Sequence, residues 1–273
     1  MITHPGKDMM KDLIEIWKKS FGDADWYIDF FFKHRVKPEN TLVYLVEGKP
    51  VSMLMLFPAK LRGHEIFYVY GVATLPDYRR QGFSTSLLSY VNKNLPENVL
   101  GTFLRPATDS LFTYYKKQGY ETAFYVKTLD LTISELNEIK TPIEFSKISP
   151  GDYKRLRDSS FKNGEYIEWD VDAVEYAMKE NELVGGKTLL ITYGKDKGII
   201  MCRTWENKLY VKETTLDSDI LKAALKRIVE QEHTQNCNVR LHPNSALGKE
   251  PEKFAMIYGK NNSIKGYFNL AKD

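Results

Sequence analysis

The segment Val72 to Ser84, VATLPDYRRQGFS, admits few structures, because an apolar strand runs there through a cationic glycine turn into a helix. Ile66 to Thr74 is dense in β-branched and aromatic side chains and is followed by Pro76, which cannot continue a central ladder. From Gln81 the pattern turns helical: Phe83, Leu87, Leu88, Val91 and Leu95 recur at three- and four-residue intervals until Pro96 stops the helix. Arg79, Arg80, Gln81, Gly82, Phe83 and Ser84 are therefore expected in the first turn, where N–H groups have no intrahelical acceptor. Such a terminus attracts anions; Arg79 and Arg80 add charge, and Gly82 lets the backbone come close. Acidic residues are the usual choice in a first turn, so a cationic one suggests that a bound anion, a pyrophosphate for instance, offsets the charge. The competing reading is a solvated RRQG turn ahead of an ordinary surface helix.

A second segment, Ser110 to Tyr120 (SLFTYYKKQGY), follows another apolar strand, Val99 to Arg105, closed by Pro106. Leu111, Tyr114, Tyr115 and Gln118 fall on a helical repeat, and Gly119 is placed to end the helix in the left-handed region. In this order the two segments resemble motifs A and B of the GCN5-related N-acetyltransferase (GNAT) family. Motif A of that family reads Gln or Arg, two free positions, Gly, one free position, then Gly or Ala. Arg79, Arg80, Gln81, Gly82, Phe83 and Ser84 match it, with Ser84 departing at the last place. The Tyr, three residues and Gly of motif B are matched by Tyr115, Lys116, Lys117, Gln118 and Gly119.

The resemblance implies an α/β fold with a mixed, mostly antiparallel central sheet flanked by helices, and acetyl-CoA as cosubstrate. It implies that amides of the Arg79 to Ser84 turn grip the pyrophosphate while the strand edge at Val72, Ala73 and Thr74 pairs with the pantetheine amides. Tyr115 is the implied acid for the departing thiolate; its neighbour Tyr114 is a rival that the spacing to Gly119 disfavours. Without the resemblance, either ring is read as core packing. Acetyl transfer to an amine also needs a neutral nucleophile and stabilisation of a developing oxyanion, for which amides at Val72 or Ala73 are suited. Glu65, Tyr68, Tyr70, His34 and His64 are the candidate bases, beside a water-mediated route.

Composition bounds the alternatives. Lys and Arg total 39 against 36 acidic residues, and a net charge of +3 without a basic stripe does not imply a nucleic-acid partner. With 42% hydrophobic and 27% charged residues the chain is an ordinary globular one. Cys202 and Cys237 are read as buried thiols, since they lack metal-ligand partners at familiar spacing. No apolar run has signal-peptide or membrane-spanning length, so no membrane partner is expected and the cytoplasm is the default location. The expected partner is a small-molecule or peptide amine.

Along the chain, helices are expected at Met9 to Ser20, with Leu13, Ile16, Trp17 and Phe21 inward, and at Trp26 to His34. Strands are expected at Thr41 to Glu47 and Val51 to Leu61 across a Glu47-Gly48-Lys49-Pro50 turn. A first strand is missing or reduced to Met1 to His4. The aromatic run Trp26, Tyr27, Phe30, Phe31 and Phe32 reads as core packing or as an acceptor wall. Residues 131–141 read as a connector between a domain at 1–130 and one at 142–273 that repeats the coarse order: strands 143–148, 187–193, 198–204, 208–214 and 237–241, and helices 151–161, 171–182 and 218–232. This resembles a degenerate second acetyltransferase-like domain. Where Arg79 to Ser84 would recur stand Thr215, Leu216, Asp217, Ser218 and Asp219, an acidic, glycine-free turn in which Asp217 or Ser218 is expected to cap the helix and which is expected to repel pyrophosphate. One CoA site per chain follows. The second domain would shape an acceptor cleft, supply an interface or complete a lid, with His242, Asn244 and Ser245 near such a cleft or in a polar turn. Ile264 to Leu270 reads as a closing strand. A noncatalytic acyl-CoA-binding module and a tRNA-dependent aminoacyl or peptidyl transferase of the same fold stand as alternatives.

Overall fold

Two-residue turns in the left-handed region fold successive strands of this chain back on one another. Glu47 and Gly48 have φ of 50° and 79°, and Arg62 and Gly63 have 54° and 77°, the backbone twist that suits tight hairpins. The computed structural model describes residues 1–259 and 264–270. In chain order the elements are β1 (Ile2–Thr3), α1 (Met10–Phe21), α2 (Asp25–His34), β2 (Thr41–Val46), β3 (Lys49–Leu61), β4 (His64–Thr74), α3 (Phe83–Lys93), β5 (Val99–Leu104), α4 (Asp109–Lys117) and β6 (Glu121–Thr132). There follow β7 (Ile143–Lys147), α5 (Pro150–Phe161), α6 (Val171–Leu183), β8 (Lys187–Tyr193), β9 (Asp196–Trp205), β10 (Lys208–Thr214), α7 (Ser218–Gln231), β11 (Asn236–Leu241), β12 (Glu252–Gly259) and β13 (Gly266–Tyr267).

The chain divides into two compact units, Met1–Thr122 with Ala255–Ser263, and Ala123–Phe254 with Ile264–Asp273. In the first unit the strand order is β1-β2-β3-β4-β5-β12. All neighbours are antiparallel except β4 and β5. Leu13, Ile16 and Trp17 of α1 are buried as their spacing predicts, whereas Phe21, also expected inward, is 45% exposed. It is the last residue of α1 before the left-handed Gly22 and lies at the rim, its ring 4.6 Å from that of Trp17. Of the aromatic run on α2, Tyr27, Phe31 and Phe32 are buried, and Trp26 is exposed.

Sequence periodicity gave no hint of β12. Its Ala255, Met256 and Ile257 are buried, and its carboxyl end lies opposite β5, with Gly259 against Gly101 and Tyr258 against Thr102. Both glycines are dictated by close approach. A Cβ on Gly101 would lie 2.0 Å from the Tyr258 carbonyl oxygen, and one on Gly259 would lie 2.4 Å from that of Leu100.

In the second unit the order is β6-β11-β10-β9-β8-β7, with β13 parallel to β6. The β10–β11 pair is parallel and the other neighbours in that order are antiparallel. Leu221, Ala224, Leu225 and Ile228 of α7 are buried against the sheet. The closing stretch is less regular than its composition suggested, since only Gly266 and Tyr267 of 264–270 form a strand. Both sheets are thus mixed and mostly antiparallel with helices packed on them. Among the described residues no helix is long and apolar enough to cross a membrane, and no cluster of His, Cys, Asp or Glu is placed to hold a metal ion.

Candidate cofactor cleft and active site

Strand β4 carries a bulge near its carboxyl end. Tyr70 faces Met55 and Ala73 faces Met53, so β4 spends one residue more than β3 between the two pairs. Gly71, at φ 61°, takes up the extra residue. A Cβ there would lie 2.8 Å from Met55 Sδ and 3.0 Å from the Trp17 ring, so conformation and space both demand glycine. On its other side β4 pairs with β5 only from Glu65 to Tyr68, opposite Val99 to Phe103, while pairing to β3 continues to Thr74. The two parallel strands therefore part beyond Tyr68. Val72, Ala73 and Thr74 lie on the parted stretch.

The turn that follows is pinned at its start. Leu75 N–H donates to Val51 O at 2.9 Å, and a short 3-10 turn at Pro76–Tyr78 delivers the chain to Arg79. Arg79 folds back, its Nε donating to Thr74 O at 3.1 Å and its guanidinium reaching Lys19 O at 3.5 Å. Gln81 Nε2 donates to Asp77 O at 3.2 Å. Arg80 is exposed and left-handed at φ 63°, a conformation that costs a non-glycine residue roughly 1–2 kcal/mol. Gly82, at φ 84°, is the N-cap of α3, and a Cβ there would meet nothing within 4 Å. The helix starts at Phe83, so Arg79 to Gly82 precede it rather than filling its first turn as the sequence predicts.

The first main-chain bond of the helix runs from Ser86 N–H to Gly82 O at 2.8 Å. Among the described residues, the amides of Gln81 to Thr85 have no acceptor. Arg79 to Gly82 are exposed while Phe83 and Ser84 are half-buried. A run of free amides beside an exposed guanidinium and a glycine with open space fits a phosphate-bearing group.

Helix α4 brings both tyrosines to this region in different ways. Thr108 caps its start by accepting from Leu111 N–H at 3.4 Å, and Gly119, at φ 86°, ends it as the sequence predicts. The Tyr114 hydroxyl lies 3.0 Å from Ser84 Oγ and 3.1 Å from Thr85 Oγ1, so the serine that departs from the motif is held by a side chain from α4. Spacing alone gave Tyr114 no such role. Tyr115 is buried in a cluster with Val69, Leu87, Leu88 and Tyr120. Burial, reinforced by the nearby Tyr114, Tyr120 and Tyr68, raises its pKa well above that of an ordinary tyrosine, so the phenol keeps its proton. Its hydroxyl has no hydrogen-bond partner among the described residues. Tyr120, by contrast, is tied to Thr102 Oγ1 at 2.8 Å.

The other base candidates separate. Glu65 accepts from Asn98 Nδ2 at 3.1 Å at the amino end of β4, eight residues from Ala73 and so roughly 26 Å away along the strand. His64 is exposed in the same hairpin, and His34 is exposed at the end of α2. Tyr68 and Tyr70 lie on either side of the parting point, their rings 5.6 Å apart, with Tyr68 also stacked on Phe103.

In the second unit the stretch of β10 beyond its parallel pairing carries a buried polar cluster. Pairing of β10 with β11 ends at Val211 and Val239, and a bulge on β10 lies between Val211 and Glu213. Glu213 is fully buried and accepts from Tyr153 Oη at 2.8 Å, Tyr267 Oη at 3.1 Å and Arg157 Nε at 3.0 Å. Asn269 donates to Lys212 O, and Trp169 Nε1 donates to Asn269 O at 2.9 Å. Of the two residues expected to cap α7, Asp217 takes the N-cap position and Ser218 begins the helix, but the Asp217 side chain accepts no bond from the helix. Cys202 and Cys237 are free and buried, and burial pushes their thiols up to about 12 and about 11.

His242 stacks on Phe161 at 5.3 Å, and burial, followed by the charge of Arg157, lowers its pKa from 6.5 to about 4. A depressed histidine adds stability above its unfolded pKa and loses it as the pH falls toward the folded value. Stability is therefore expected to drop between pH 6.5 and about 4, with a shallower drop in His242→Gln. Urea denaturation of both proteins across that range checks it; equal slopes would contradict it.

Residues 2–123 match the family model described as an acetyltransferase (GNAT) domain. No curated protein matches the chain. Among solved structures, it is similar to a GCN5-related N-acetyltransferase from Anabaena variabilis at 17% identity and TM-score 0.71, over 94% of this chain and 72% of that one. One from Kribbella flavida is similar at 14% identity and TM-score 0.68, over 94% and 70%. A tandem GNAT protein from the clavulanic acid biosynthesis pathway is similar at 11% identity and TM-score 0.56, over 95% and 98%. This chain has the fold of the GCN5-related N-acetyltransferases, and its residues 2–123 match the domain of that family.

Proposed function

We propose that this chain is an acetyl-CoA-dependent N-acetyltransferase acting on a primary amine of a small molecule or peptide. The free amides of Gln81 to Thr85, beside the parted end of β4, carry this reading. Acetyl-CoA supplies the activated acyl group. The amides from Gln81 to Ser84 and the charge of Arg80 hold its pyrophosphate, while Gly82 and Phe83 set the approach. Arg79 braces the turn through Thr74 O and Lys19 O. Val72, Ala73 and Thr74 offer main-chain groups to the pantetheine arm and polarise the acyl carbonyl. Tyr115 keeps a proton available for the sulfur that leaves.

On this reading the chain is a duplication, with halves 1–130 and 142–273 joined by 131–141. The second half has lost the cofactor: the turn Thr215 to Asp219, acidic and without glycine, stands where Arg79 to Ser84 would recur. One acetyl-CoA per chain follows. Turnover of acetyl-CoA against a panel of amines, with mass analysis of the product, tests the activity. Acetyl-CoA bound without turnover on any amine would instead favour a binding module.

The grip is tested separately by calorimetry. Arg80→Ala is expected to weaken acetyl-CoA roughly ten-fold and Gly82→Val by more, because valine resists φ near 84° and stiffens the approach. Arg79→Ala is expected to weaken binding by loosening the turn. Unchanged affinity in all three variants would contradict the assignment.

A further inference from the structure

The first unit is completed from far along the chain: Ala255–Ser263 belongs to it although that segment follows β11, and β12 pairs there with β5. Beyond its main-chain pairing, β12 contributes the ring of Tyr258. Tyr258 stands directly opposite Thr102, so the two side chains rise from the same face of the sheet. Thr102 Oγ1 donates to Asn92 Oδ1 at 2.8 Å and accepts from Tyr120 Oη at 2.8 Å. The Tyr258 ring lies 5.6 Å from that of Tyr120, tilted by 51°. It also closes on Gly119, where a Cβ would lie 3.0 Å from Tyr258 Cε2 and 3.2 Å from Cδ2. Tyr120 is thus held at its hydroxyl by β5 and across its ring by β12.

The carboxyl end of α4 gathers on Tyr115. The Tyr115 carbonyl accepts from Gln118 N–H at 2.9 Å and from Tyr120 N–H at 3.1 Å, while Gly119 N–H donates to Lys116 O at 3.0 Å. The rings of Tyr115 and Tyr120 meet edge to face at 5.8 Å. Main chain and ring of Tyr115 therefore both rest on Tyr120. With no hydrogen bond to orient it, the Tyr115 hydroxyl is placed by packing of its ring. What supports Tyr120 then supports Tyr115.

From this chain of contacts we infer that Tyr258 is a positioning residue for acetyl transfer. It holds Gly119 and Tyr120, and through them it holds the phenol of Tyr115 where the leaving sulfur needs a proton. Tyr258 acts on the rate in this way only if Tyr115 is the acid proposed above. Proton delivery tolerates little displacement, because a shift of about 1 Å in a reacting group can cost on the order of 100-fold in rate. The contribution of Tyr258 is its ring, not its hydroxyl.

The test uses the full chain. Transfer is measured with the first amine of the panel that turns over, or with hydroxylamine, a small neutral nucleophile, where none does. Tyr258→Ala is expected to lower kcat roughly ten-fold with the KM for acetyl-CoA within a factor of about two, whereas Tyr258→Phe keeps both near the parental values. In a Tyr115→Phe background, Tyr258→Ala is expected to cost no further rate, since the phenol it places is gone. Ile257→Ala controls for a weakened strand: it removes a buried side chain from the opposite face of β12 and is expected to lower the melting temperature but not kcat. If Tyr258→Ala does not fold, Tyr258→Leu takes its place with the same direction expected.

Hydrogen exchange on the protein without ligands reads the support apart from turnover. The amides of Gln118, Gly119 and Tyr120 are expected to exchange roughly ten-fold faster in Tyr258→Ala and at the parental rate in Ile257→Ala. The inference is overturned if loss of the Tyr258 ring spares kcat, if Tyr258→Phe or Ile257→Ala lowers kcat as far, if the loss adds to that of Tyr115→Phe, or if exchange at the end of α4 does not change. A parental kcat in Tyr115→Phe alone is a different failure: it removes the acid, while exchange still reads whether Tyr258 supports α4.

Discussion

Glu213→Ala is expected to destabilise the protein by roughly 3–5 kcal/mol, the range found when one partner of a buried ion pair is removed. Glu213 and Arg157 are both fully buried, their charged atoms 3.0 Å apart. Two further donors, Tyr153 Oη and Tyr267 Oη, depend on the same carboxylate. Truncation would leave the guanidinium in the interior with one remaining hydrogen bond, from Nη1 to Ile167 O at 2.8 Å, and only the more distant Asp158 carboxylate, 3.9 Å from Nη1, as counter-charge, while Nη2 already lacks a partner. Glu213→Gln keeps the shape and loses the charge, so an intermediate loss is expected. The double variant Arg157→Met with Glu213→Leu should recover part of the stability, because the unpaired charge is gone, but not all of it, since two tyrosine hydroxyls lose their acceptor. Urea denaturation of the three variants beside the parent decides this. A loss below about 1 kcal/mol in Glu213→Ala would mean that water or a rearranged carboxylate reaches Arg157.

Elements with strong local chemistry were legible in the sequence. The helix after Gly82 and the left-handed Gly119 follow from short-range patterns of apolar residues and glycine, and the structure places them within a residue or two. What local pattern could not supply is long-range pairing. β12 was missed although Phe254 to Tyr258 is apolar, because its partner β5 lies some 150 residues earlier and the pairing is marked only by two facing glycines. Nor does any local rule place Gly71 in a bulge: the glycine reads as a weak point in a strand until Trp17 and Met55 are seen against it. Asp217 shows the reverse failure. Its identity and position are those of a helix cap, yet the side chain makes no capping bond, so a good local signal gave the wrong contact. Ser84 is similar, for its departure from the motif becomes intelligible only when Tyr114 is found 3.0 Å away on another helix.

Tyr115→Phe is expected to lower kcat roughly 100-fold at saturating donor while leaving the KM for acetyl-CoA within a factor of about two, the mark of a lost proton donor. The substitution removes one oxygen from a ring packed among Val69, Leu87 and Leu88, so the fold should tolerate it. Since burial raises the Tyr115 pKa well above the ordinary value, the proton-bearing form is present throughout the neutral range, and an alkaline fall in rate below pH 10 cannot come from this residue. The same shift makes the phenol a reluctant acid, so it serves only a thiolate whose own basicity is raised by leaving water in the same apolar surroundings. Tyr114→Phe is the control that separates chemistry from positioning. Its hydroxyl meets Ser84 and Thr85 at the start of α3, so its loss should raise the KM for acetyl-CoA and spare kcat. If the two variants exchange these effects, Tyr114 is the acid and Tyr115 the packing residue; if both keep the parental kcat, neither hydroxyl delivers the proton and a water molecule must.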